Sequence, residues 1–268
     1  EMAPRWAAGW FALGEVEAAR SFTEAAASAF RQAIACDPDD AMGAGLMLAR
    51  LGLSTAGPAM SAGYVAALYD DYAPRFERSL REGLTYRGPE ILRDAVSRAC
   101  TAAGRVPHVD RMLDLGCGTG LAGMVFAPLA AAIDGVDLSA RMVEQARRKG
   151  VYRSLSVGDL RSFLAGQADE SANLVVAADV FIYCADLAPI MGDIGRVLPR
   201  GGLSAFTVET HDGDGVILGD ALRYAHGEPA VRAALAEGGL TPLVFEPAAI
   251  RQEAGRPVPG WAVVAGKA

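Results

Sequence analysis

The sequence predicts an α/β fold: a mainly parallel sheet with helices on both faces, plus a small helical segment at the N-terminus. Strand-like apolar segments alternate with helical ones from about residue 105 onward, and the first of these strands leads into a glycine-rich turn. The first fifty residues have a different, purely helical pattern. We therefore divide the chain into a helical segment (1–53), connecting helices (62–104) and an α/β core (105–268). The predicted strands are 111–115, 132–138, 152–157, 173–183, 203–209, 240–246 and 260–265.

The glycine-rich turn, residues 112–120, reads Met-Leu-Asp-Leu-Gly-Cys-Gly-Thr-Gly. Glycine lets the backbone turn tightly and approach a ligand closely, and the helix predicted from Leu121 presents unpaired N–H groups to that ligand. Asp114, just before the turn, can accept a hydrogen bond from a cationic or hydroxyl group. The first strand is therefore predicted to end in a ligand-binding turn.

Acidic residues follow the next three predicted strands. Asp137 lies about twenty residues beyond the glycines, where nucleotide-binding α/β folds use an acid to hold ribose hydroxyls. Asp159 follows the third strand and Asp179 lies in the fourth. Any one of these acids has a simpler explanation as the cap of a turn, as Ser139 is predicted to cap the helix at 140–149. Three acids at successive strand ends favour a binding site.

Four segments together resemble the class I S-adenosylmethionine (SAM) methyltransferases: Asp-Leu-Gly-Cys-Gly-Thr-Gly at 114–120, Asp-Leu-Ser at 137–139, Gly-Asp-Leu at 158–160 and the Pro-Arg-Gly-Gly turn within 196–203. The resemblance covers about residues 64–266. It implies a Rossmann-like seven-stranded sheet of order 3-2-1-4-5-7-6 with the last strand antiparallel. SAM would then be the cofactor, bound across the carboxyl ends of strands one, two and four, and S-adenosylhomocysteine the product.

A dinucleotide cofactor is the alternative, because Gly123 completes a Gly-x-x-Gly after Gly120. The full string is more similar to the methyltransferase version. In that family the glycine loop lies against the methionine moiety, Asp137 would bind the ribose, Asp159 the adenine amino group, and Asp179 would face the methyl donor. The cofactor residues so implied are Tyr72, Asp114, Gly116, Cys117, Gly118, Thr119, Gly120, Asp137, Leu138, Met142, Gly158, Asp159, Leu160, Asp179 and Val180, with Cys117 as a small filler rather than a nucleophile.

The acceptor side is expected after strand five, where His211 and His226 lie at the places that family members use for it. A histidine with an ordinary pKa near 6.5 suits a general base at neutral pH, although either one can equally be a loop residue. Arg223 and Tyr224 would suit an anionic or phenolic acceptor. The catalytic candidates are His226, His211 and Tyr183, and the substrate-binding candidates are Tyr64, Glu209, Arg223 and Tyr224.

The fourth strand reads Asp-Val-Phe-Ile-Tyr at 179–183, not the Asn/Asp-Pro-Pro-Tyr/Phe of methyltransferases that act on exocyclic nitrogens of DNA, RNA or glutamine. This departure leaves oxygen, carbon and sulfur acceptors open. Because Arg223, Tyr224 and His226 follow strand five, we expect a small, anionic or phenolic acceptor that is methylated on oxygen. Two other classes stay open: a protein methyltransferase that captures its substrate with the N-terminal segment, and a non-catalytic SAM-binding module. An exposed groove on residues 1–50 would favour the first of these, and a segment buried against the core would oppose it.

The N-terminal segment resembles one tetratricopeptide repeat, although Glu17 stands where the repeat has an aromatic residue. The pattern predicts a helix hairpin followed by a helix at 40–51. One repeat cannot bury its own apolar face, so this face is expected to serve packing, a homodimer or a partner protein, with peptide binding as the alternative. The matching residues are Trp10, Leu13, Gly14, Ala26, Phe30, Ala33 and Pro38, with Trp10 and Leu13 expected to face Phe30 and Ala33.

A linker is predicted at 54–61, and the segment 63–80 after it resembles the "Y-D-x-Y-A-x-x-F-D" helices that cover the cofactor in many small-molecule methyltransferases. Its aromatic residues would shield the sulfonium and exclude water. The alternative is an amphipathic helix that packs its aromatic residues into the core. The first core helix is predicted at 89–100. The aromatic residues of the lid are Tyr64, Tyr69, Tyr72 and Phe76.

The composition predicts a cytoplasmic enzyme. The net charge of −7 and the isoelectric point of about 5.1 give no electrostatic case for nucleic-acid binding, and the most apolar window, 172–191, is interrupted by acids. Four scattered cysteines without a C-x-x-C pair argue against a zinc site and fit reduced thiols. Because the sequence begins at Glu1 and not at a methionine, we expect the native N-terminus to be missing.

Overall fold

The computed structural model describes residues 5–54, 60–80, 86–253 and 255–268, with Ser79 by its backbone alone. Most of the linker predicted at 54–61 lies outside these residues. The described helices are α1 Ala7–Ala19, α2 Thr23–Cys36, α3 Ala44–Arg50, α4 Ala62–Tyr72, α5 Phe76–Ser79, α6 Gly88–Ala102, α7 Leu121–Phe126, α8 Ala140–Arg148, α9 Leu160–Ala165, α10 Ala188–Val197 and α11 Glu228–Glu237. The described strands are β1 Val109–Leu115, β2 Ala130–Asp137, β3 Ser154–Val157, β4 Leu174–Ala177, β5 Leu203–Glu209, β6 Val216–Leu218, β7 Tyr224–His226, β8 Leu240–Glu253 and β9 Arg256–Lys267.

The sheet confirms the predicted fold class and strand order. Strands β3, β2, β1, β4 and β5 lie side by side and parallel, with Leu113 of β1 between Asp134 of β2 and Val175 of β4. Strand β9 pairs antiparallel with β5, and β8 pairs antiparallel with β9. The order 3-2-1-4-5-7-6 is thus present, with β9 and β8 as its seventh and sixth strands.

Apolar clusters cover both faces of the sheet. Consecutive residues of a strand point to opposite faces, so Met112 joins one cluster and Leu113 the other. Helix α6 supplies Leu92 to the first cluster, and α10 supplies Met191 to the second. The last four residues of β1, 112–115, are buried and apolar apart from Asp114, which is typical of a central parallel strand covered on both faces.

The fourth strand is shorter than the sequence predicts. It ends at Ala177, and the chain turns at Asp179, whose φ of 63° lies in the left-handed region. A 3₁₀ helix, Phe181–Tyr183, follows the turn. Residues 173–183 were predicted as one strand because they are mostly apolar, and apolar character alone does not show where a buried segment bends.

Two other regions also differ from the prediction. The short hairpin of β6 and β7 was not predicted, and β7 pairs with the end of β5 at Glu209. Strands β8 and β9 are both longer than predicted, and their shared extension reaches beyond the sheet. The backbone N–H of Arg87 donates to the carbonyl of Ile250 in this extension at 3.0 Å. Both additions lie after β5, on the side where the acceptor was expected.

The N-terminal helices form the predicted hairpin, but its packing face differs. Phe11 faces Phe30 with ring centroids 5.5 Å apart, and Gly14 leaves room for that ring, because a Cβ there would lie 2.5 Å from it. Trp10 packs at the edge of this cluster, whereas Leu13 is 42% exposed. The expectation that Leu13 faces the second helix was wrong, because the packing face is rotated by one residue.

Helix α3 begins later than predicted, at Ala44 instead of residue 40. Asp40 caps it instead, accepting from the N–H groups of Ala44 at 2.7 Å and Gly45 at 2.8 Å. The large apolar side chains Trp6, Val16 and Phe22 are more than half exposed. Assignment of the hairpin to a tetratricopeptide repeat stays a prediction, as does its contact with a second copy or a partner.

Among the described helices, none has the length and apolar character to cross a bilayer. No group of three or more potential metal ligands occurs in the described part of the chain.

Candidate active site

A cavity of about 770 Å³ lies at the carboxyl ends of β1, β2 and β4, with α4 along its side. The crevice outside the carboxyl ends of the strands is where open α/β sheets bind ligands. Twelve of the predicted site residues line it. They are Tyr72, Gly116, Gly118, Asp137, Leu138, Gly158, Asp159, Leu160, Asp179, Val180, Tyr183 and Arg223.

The glycine loop has the backbone conformation for which the sequence selects glycine. Gly116, Gly118 and Gly120 have φ angles of 63°, 52° and 89°, in the left-handed region where a side chain is unfavourable. At Gly116 a Cβ would also lie 2.5 Å from Cγ2 of Val180. The backbone of the loop therefore forms part of the cavity wall itself. Cys117 and Thr119 instead line a smaller adjoining pocket, and Gly120 and Met142 lie outside the cavity lining.

Asp137 connects this loop to helix α8. Its Oδ2 accepts from the backbone N–H of Gly118 and its Oδ1 from that of Ser139, both at 2.8 Å. Ser139 caps α8 as predicted, accepting from the N–H of Met142 at 3.1 Å. Burial raises the pKa of Asp137, and the two backbone N–H groups oppose that rise. Each carboxylate oxygen has a further lone pair for a ligand hydroxyl.

Asp114 is buried beside the loop and does not line the cavity, so its expected contact with the cofactor stays a prediction. The hydroxyl of Tyr152 donates to its Oδ2 at 2.6 Å. Burial raises the pKa of Asp114 to about 7. The sequence analysis missed Tyr152, which packs against Gly123 and Gly135, where added Cβ atoms would lie 2.4 Å and 2.9 Å from its side chain.

Two polar atoms near the loop are buried and have no hydrogen-bond partner among the described residues: Oδ1 of Asp114 and Oγ1 of Thr119. Buried polar groups are normally paired, so atoms of this kind call for a ligand or a water. They can serve the amino and carboxylate groups of a methionine moiety lying on the glycine loop. The residues present therefore fit SAM.

Asp159 lines the cavity and also caps a helix. Its Oδ1 accepts from the N–H of Ser162 at the start of α9, at 2.9 Å. Burial raises the pKa of Asp159, but the hydrogen bonds around Ser162 outweigh that and hold the pKa below its usual value. Leu160 lies beside it on the cavity wall. The explanation of Asp159 as a cap is thus correct, and it leaves the second oxygen for a ligand.

Five charged residues form a cluster at the other end of the cavity, which we call the carboxylate–arginine cluster: Asp179, Glu209, Arg223, Arg251 and Glu253. Arg251 is 4% exposed and donates to all three carboxylates, and Arg223 donates to Glu209 and Glu253. Burial raises the pKa of Asp179, and Arg251 opposes this. In Glu253 the two arginines prevail over burial and lower the pKa.

The sequence analysis missed Arg251 and Glu253. Both belong to the part of β8 beyond the predicted strand end at 246. The local sequence gives little sign of a strand here, because Ile250 is followed by three polar residues, Arg251, Gln252 and Glu253, which do not alternate with apolar ones. Glu209 does not line the cavity; it acts within the cluster.

Tyrosines connect helix α4 to the cavity wall. The hydroxyl groups of Tyr69 and Tyr183 lie 2.8 Å apart, and their rings meet edge to face with centroids at 5.6 Å. Tyr72 and Phe76 continue the aromatic wall at a centroid distance of 5.4 Å. Tyr64, in contrast, packs on Gly43, where a Cβ would lie 2.7 Å from its ring, so its predicted role in substrate binding is not supported by its position.

Polar contacts also hold α4 and α5 against α8. Oδ1 of Asp70 accepts from the hydroxyl of Ser139 at 2.5 Å and from the N–H of Arg141 at 3.1 Å. Lys149 and Glu77 form an ion pair at 2.6 Å. Ser139 thus contacts helix α4 through its hydroxyl and the carboxylate of Asp137 through its N–H.

The two candidate histidines, His211 and His226, do not line the cavity. His226 is 1% exposed, its Nε2 lies 3.2 Å from the carbonyl oxygen of Phe181, and burial lowers its pKa. The ring of His211 pairs with the backbone of Gly213 and Gly215 in a surface turn. Tyr224 is fully buried in the same hairpin. These positions do not support the expected roles at the acceptor, because the hairpin buries 224 and 226 and His211 lies in the surface turn.

Comparison with known proteins agrees with the fold and the cavity. Residues 113–206 match the family model described as "Methyltransferase domain". "Methyltransferase-like protein 27" of Homo sapiens is 38% identical over 90 residues, which are 33% of this chain and 35% of that protein. The dTDP-3-amino-3,6-dideoxy-alpha-D-glucopyranose N,N-dimethyltransferase of Streptomyces fradiae is 32% identical over 115 residues, 42% of this chain and 41% of that protein. The chain spans about a third to a little over half the length of the first curated relatives that it matches.

Solved structures share the fold at low identity. A SAM-dependent methyltransferase from Clostridium acetobutylicum superposes with a TM-score of 0.54 at 17% identity, over 74% of this chain and 98% of that one. The [4+2]-cyclase SpnF superposes with a TM-score of 0.61 at 18% identity, over 77% of this chain and 96% of that one. Residues 113–206 therefore match a methyltransferase domain, and the solved structures show that the chain shares the fold of a SAM-dependent methyltransferase. The cyclase shows that the fold alone does not define the reaction.

Proposed function

We propose that this chain transfers the methyl group of SAM to a small-molecule acceptor inside the cavity. The observation that carries the proposal is that one cavity joins the glycine loop and Asp137 at one end to the carboxylate–arginine cluster at the other. A volume of about 770 Å³ falls in the range of about 300–1,000 Å³ typical of small-molecule sites. The same space thus has room for a cofactor and a small acceptor together.

The cofactor pose rests on the contacts of the loop and the strand ends. Asp137 would accept hydrogen bonds from the ribose hydroxyls, and the loop from Gly116 would lie along the methionine moiety. Asp159 would accept from the adenine amino group through the oxygen that α9 does not use, and Leu160 would cover the ring. These assignments match the burial, free lone pairs and positions of the side chains.

Helices α4 and α5 are proposed to cover the bound cofactor. Tyr69 and Tyr72 line the cavity, and the hydrogen bond from Tyr69 to Tyr183 fixes α4 across it. Aromatic rings beside a sulfonium stabilise it and exclude water. This cover also argues against a peptide substrate, which would need an open groove along the cavity.

Bound SAM supplies a methyl group on a sulfonium, which is already activated toward a nucleophile. The protein then contributes mainly alignment, which can remove about 7–11 kcal/mol of the barrier. Burial raises the pKa of Tyr183, so its hydroxyl stays protonated at neutral pH. Tyr183 would therefore orient the acceptor by a hydrogen bond and would not deprotonate it. As the C–O bond forms and the C–S bond of SAM breaks, the proton of the acceptor hydroxyl would pass to solvent water.

The acceptor atom is proposed to be oxygen. The segment after β4 lacks the Pro-Pro pair of the exocyclic-nitrogen enzymes, and the cavity wall offers hydroxyl groups on Tyr69 and Tyr183 to orient an alcohol or phenol. The expectation of an anionic acceptor gripped by Arg223 is not supported, because the guanidinium of Arg223 already donates to two carboxylates.

A metabolite screen tests the proposal. The chain is incubated with SAM and either a small-molecule extract or a protein extract, and released S-adenosylhomocysteine is measured. We expect release with the small molecules only, and an O-methylated product by mass-spectrometric fragmentation. Gly116→Val is the inactive control, because its side chain would collide with Val180. Release of S-adenosylhomocysteine with the protein extract alone would favour a protein methyltransferase. If the chain binds SAM but releases no S-adenosylhomocysteine with either extract, a non-catalytic module is favoured.

A further inference from the structure

The carboxylate–arginine cluster has more negative than positive groups. Three carboxylates, Asp179, Glu209 and Glu253, face two guanidinium groups, Arg223 and Arg251, so the formal charge is −1 when all are ionised. The two arginines hold the pKa of Glu253 below its usual value, and Arg251 opposes the rise that burial causes in the pKa of Asp179. An isolated excess charge next to a low-dielectric cavity is unfavourable, and an incoming group of opposite charge removes that cost.

The hydrogen bonds inside the cluster leave a defined set of free atoms. Arg251 uses all three of its nitrogens, on Oδ1 of Asp179, Oε1 of Glu209 and Oε1 of Glu253. Arg223 donates to the same two glutamate oxygens. The second oxygens of the three acids receive no hydrogen bond from the described residues, so the cluster presents acceptors to the cavity.

We infer that the methyl acceptor carries a protonated amine, which binds to the free oxygens of Asp179 and Glu253. Both residues line the cavity, and Arg251 holds both carboxylates in place. An ammonium group supplies donors and the missing positive charge, whereas an acceptor carboxylate would face three acids whose arginines are already engaged. The inference rests on the proposed function and concerns how the acceptor is held, not which atom is methylated.

Binding of three matched phenols tests the inference. Tyramine, tyrosol and 4-hydroxyphenylpropionate share a phenol and a two-carbon chain that ends in an ammonium, a hydroxyl or a carboxylate. Calorimetry is performed on the full chain saturated with S-adenosylhomocysteine, whose thioether carries no sulfonium charge. We expect tyramine to bind at least about tenfold more tightly than tyrosol, and the carboxylate to bind most weakly.

Glu253→Gln provides the decisive comparison, because it keeps the shape of the side chain and removes one negative charge. The preference for tyramine over tyrosol should fall about tenfold while the affinity for S-adenosylhomocysteine stays unchanged. Glu246→Gln is the matched control: Glu246 is on the same strand, pairs with Arg98 and lies outside the cavity lining, so the preference should persist.

Three results would overturn the inference: equal affinities for all three phenols, tighter binding of the carboxylate, or no binding of tyramine by the complex. An unchanged preference in Glu253→Gln would equally refute the role given to that residue. Failure of S-adenosylhomocysteine to bind at all would instead contradict the proposed function, so the two failures are distinguishable.

Discussion

Asp137 is the residue whose replacement tests the cofactor site most sharply. Its two oxygens each accept a backbone N–H at 2.8 Å, from Gly118 in the glycine loop and from Ser139 at the start of α8. Asparagine has one acceptor oxygen and one NH₂ group. In Asp137→Asn, one of the two N–H groups therefore loses its acceptor, and the remaining hydrogen bond loses its charge.

The magnitude follows from these two bonds. A hydrogen bond to a charged group contributes about 1.5–3 kcal/mol, which corresponds to about a 10- to 100-fold change in an equilibrium constant. The substitution also removes the charge that would hold the ribose hydroxyls. We therefore expect the SAM dissociation constant to rise at least about tenfold, and the free energy of unfolding to fall by about 1–3 kcal/mol.

Calorimetric titration with SAM and chemical denaturation measure the two effects separately. Asp169→Asn is the matched control, because Asp169 is 75% exposed and pairs with Arg196 at the surface. It should change neither quantity by much. If Asp137→Asn unfolds more easily yet binds SAM like the unchanged chain, Asp137 only shapes the loop, and the ribose assignment is refuted.

The other predictions concern the adenine site, the cover and the buried acid. Asp159→Ala should weaken SAM binding more than Asp159→Asn, since the amide keeps an acceptor oxygen; equal and negligible losses in calorimetry would show that Asp159 only caps α9. Tyr69→Phe removes the hydrogen bond to Tyr183 and should speed SAM release in stopped-flow fluorescence, and an unchanged release rate would refute the cover. Tyr152→Phe should destabilise the chain by about 1–3 kcal/mol, because Asp114 loses its donor. Since the raised pKa of Asp114 is about 7, its carboxyl is mostly neutral at pH 5 and mostly charged at pH 8. Chemical denaturation should therefore show that Tyr152→Phe lowers the free energy of unfolding more at pH 8 than at pH 5. Equal losses of stability at the two pH values would contradict this assignment.

The sign of the pH effect follows from the raised pKa of Asp114. The folded chain holds this proton more tightly than the unfolded chain, so Asp114 disfavours folding increasingly as the pH rises from about 4 to about 7. Tyr152→Phe removes a hydrogen bond that favours the carboxylate. Without that hydrogen bond the pKa of Asp114 rises further, so the free energy of unfolding should continue to fall at higher pH values in Tyr152→Phe than in the unchanged chain.

The sequence predicted the sheet and the glycine loop that lines one end of the cavity, because both depend on local signals. A left-handed turn selects glycine, as at Gly116 and Gly118, and a helix start selects a capping residue such as Ser139. Both features can be recognised from the residue types alone. Strand order followed from the resemblance, and β5 was predicted with its observed bounds. These features need no knowledge of long-range packing.

The acceptor end was predicted poorly because it is assembled from distant segments. Arg251 meets Asp179 across 72 positions of the chain, in a strand extension without a strong apolar pattern. His226 was chosen for its chemistry and its place after β5, but the direction of a side chain in a short hairpin is fixed by pairing that the sequence does not display. The hydrogen bond between Tyr152 and Asp114 could not be predicted for the same reason, since the two residues are 38 positions apart and Tyr152 was predicted only as part of a strand.

Titration of the intact chain with SAM, followed by a methyl-transfer assay with the small-molecule extract, tests the central claim most directly. The account predicts saturable binding of one SAM per chain, abolished in Gly116→Val, and release of S-adenosylhomocysteine only when small molecules are present. Failure of the folded chain to bind SAM, or undiminished binding in Gly116→Val, would contradict it.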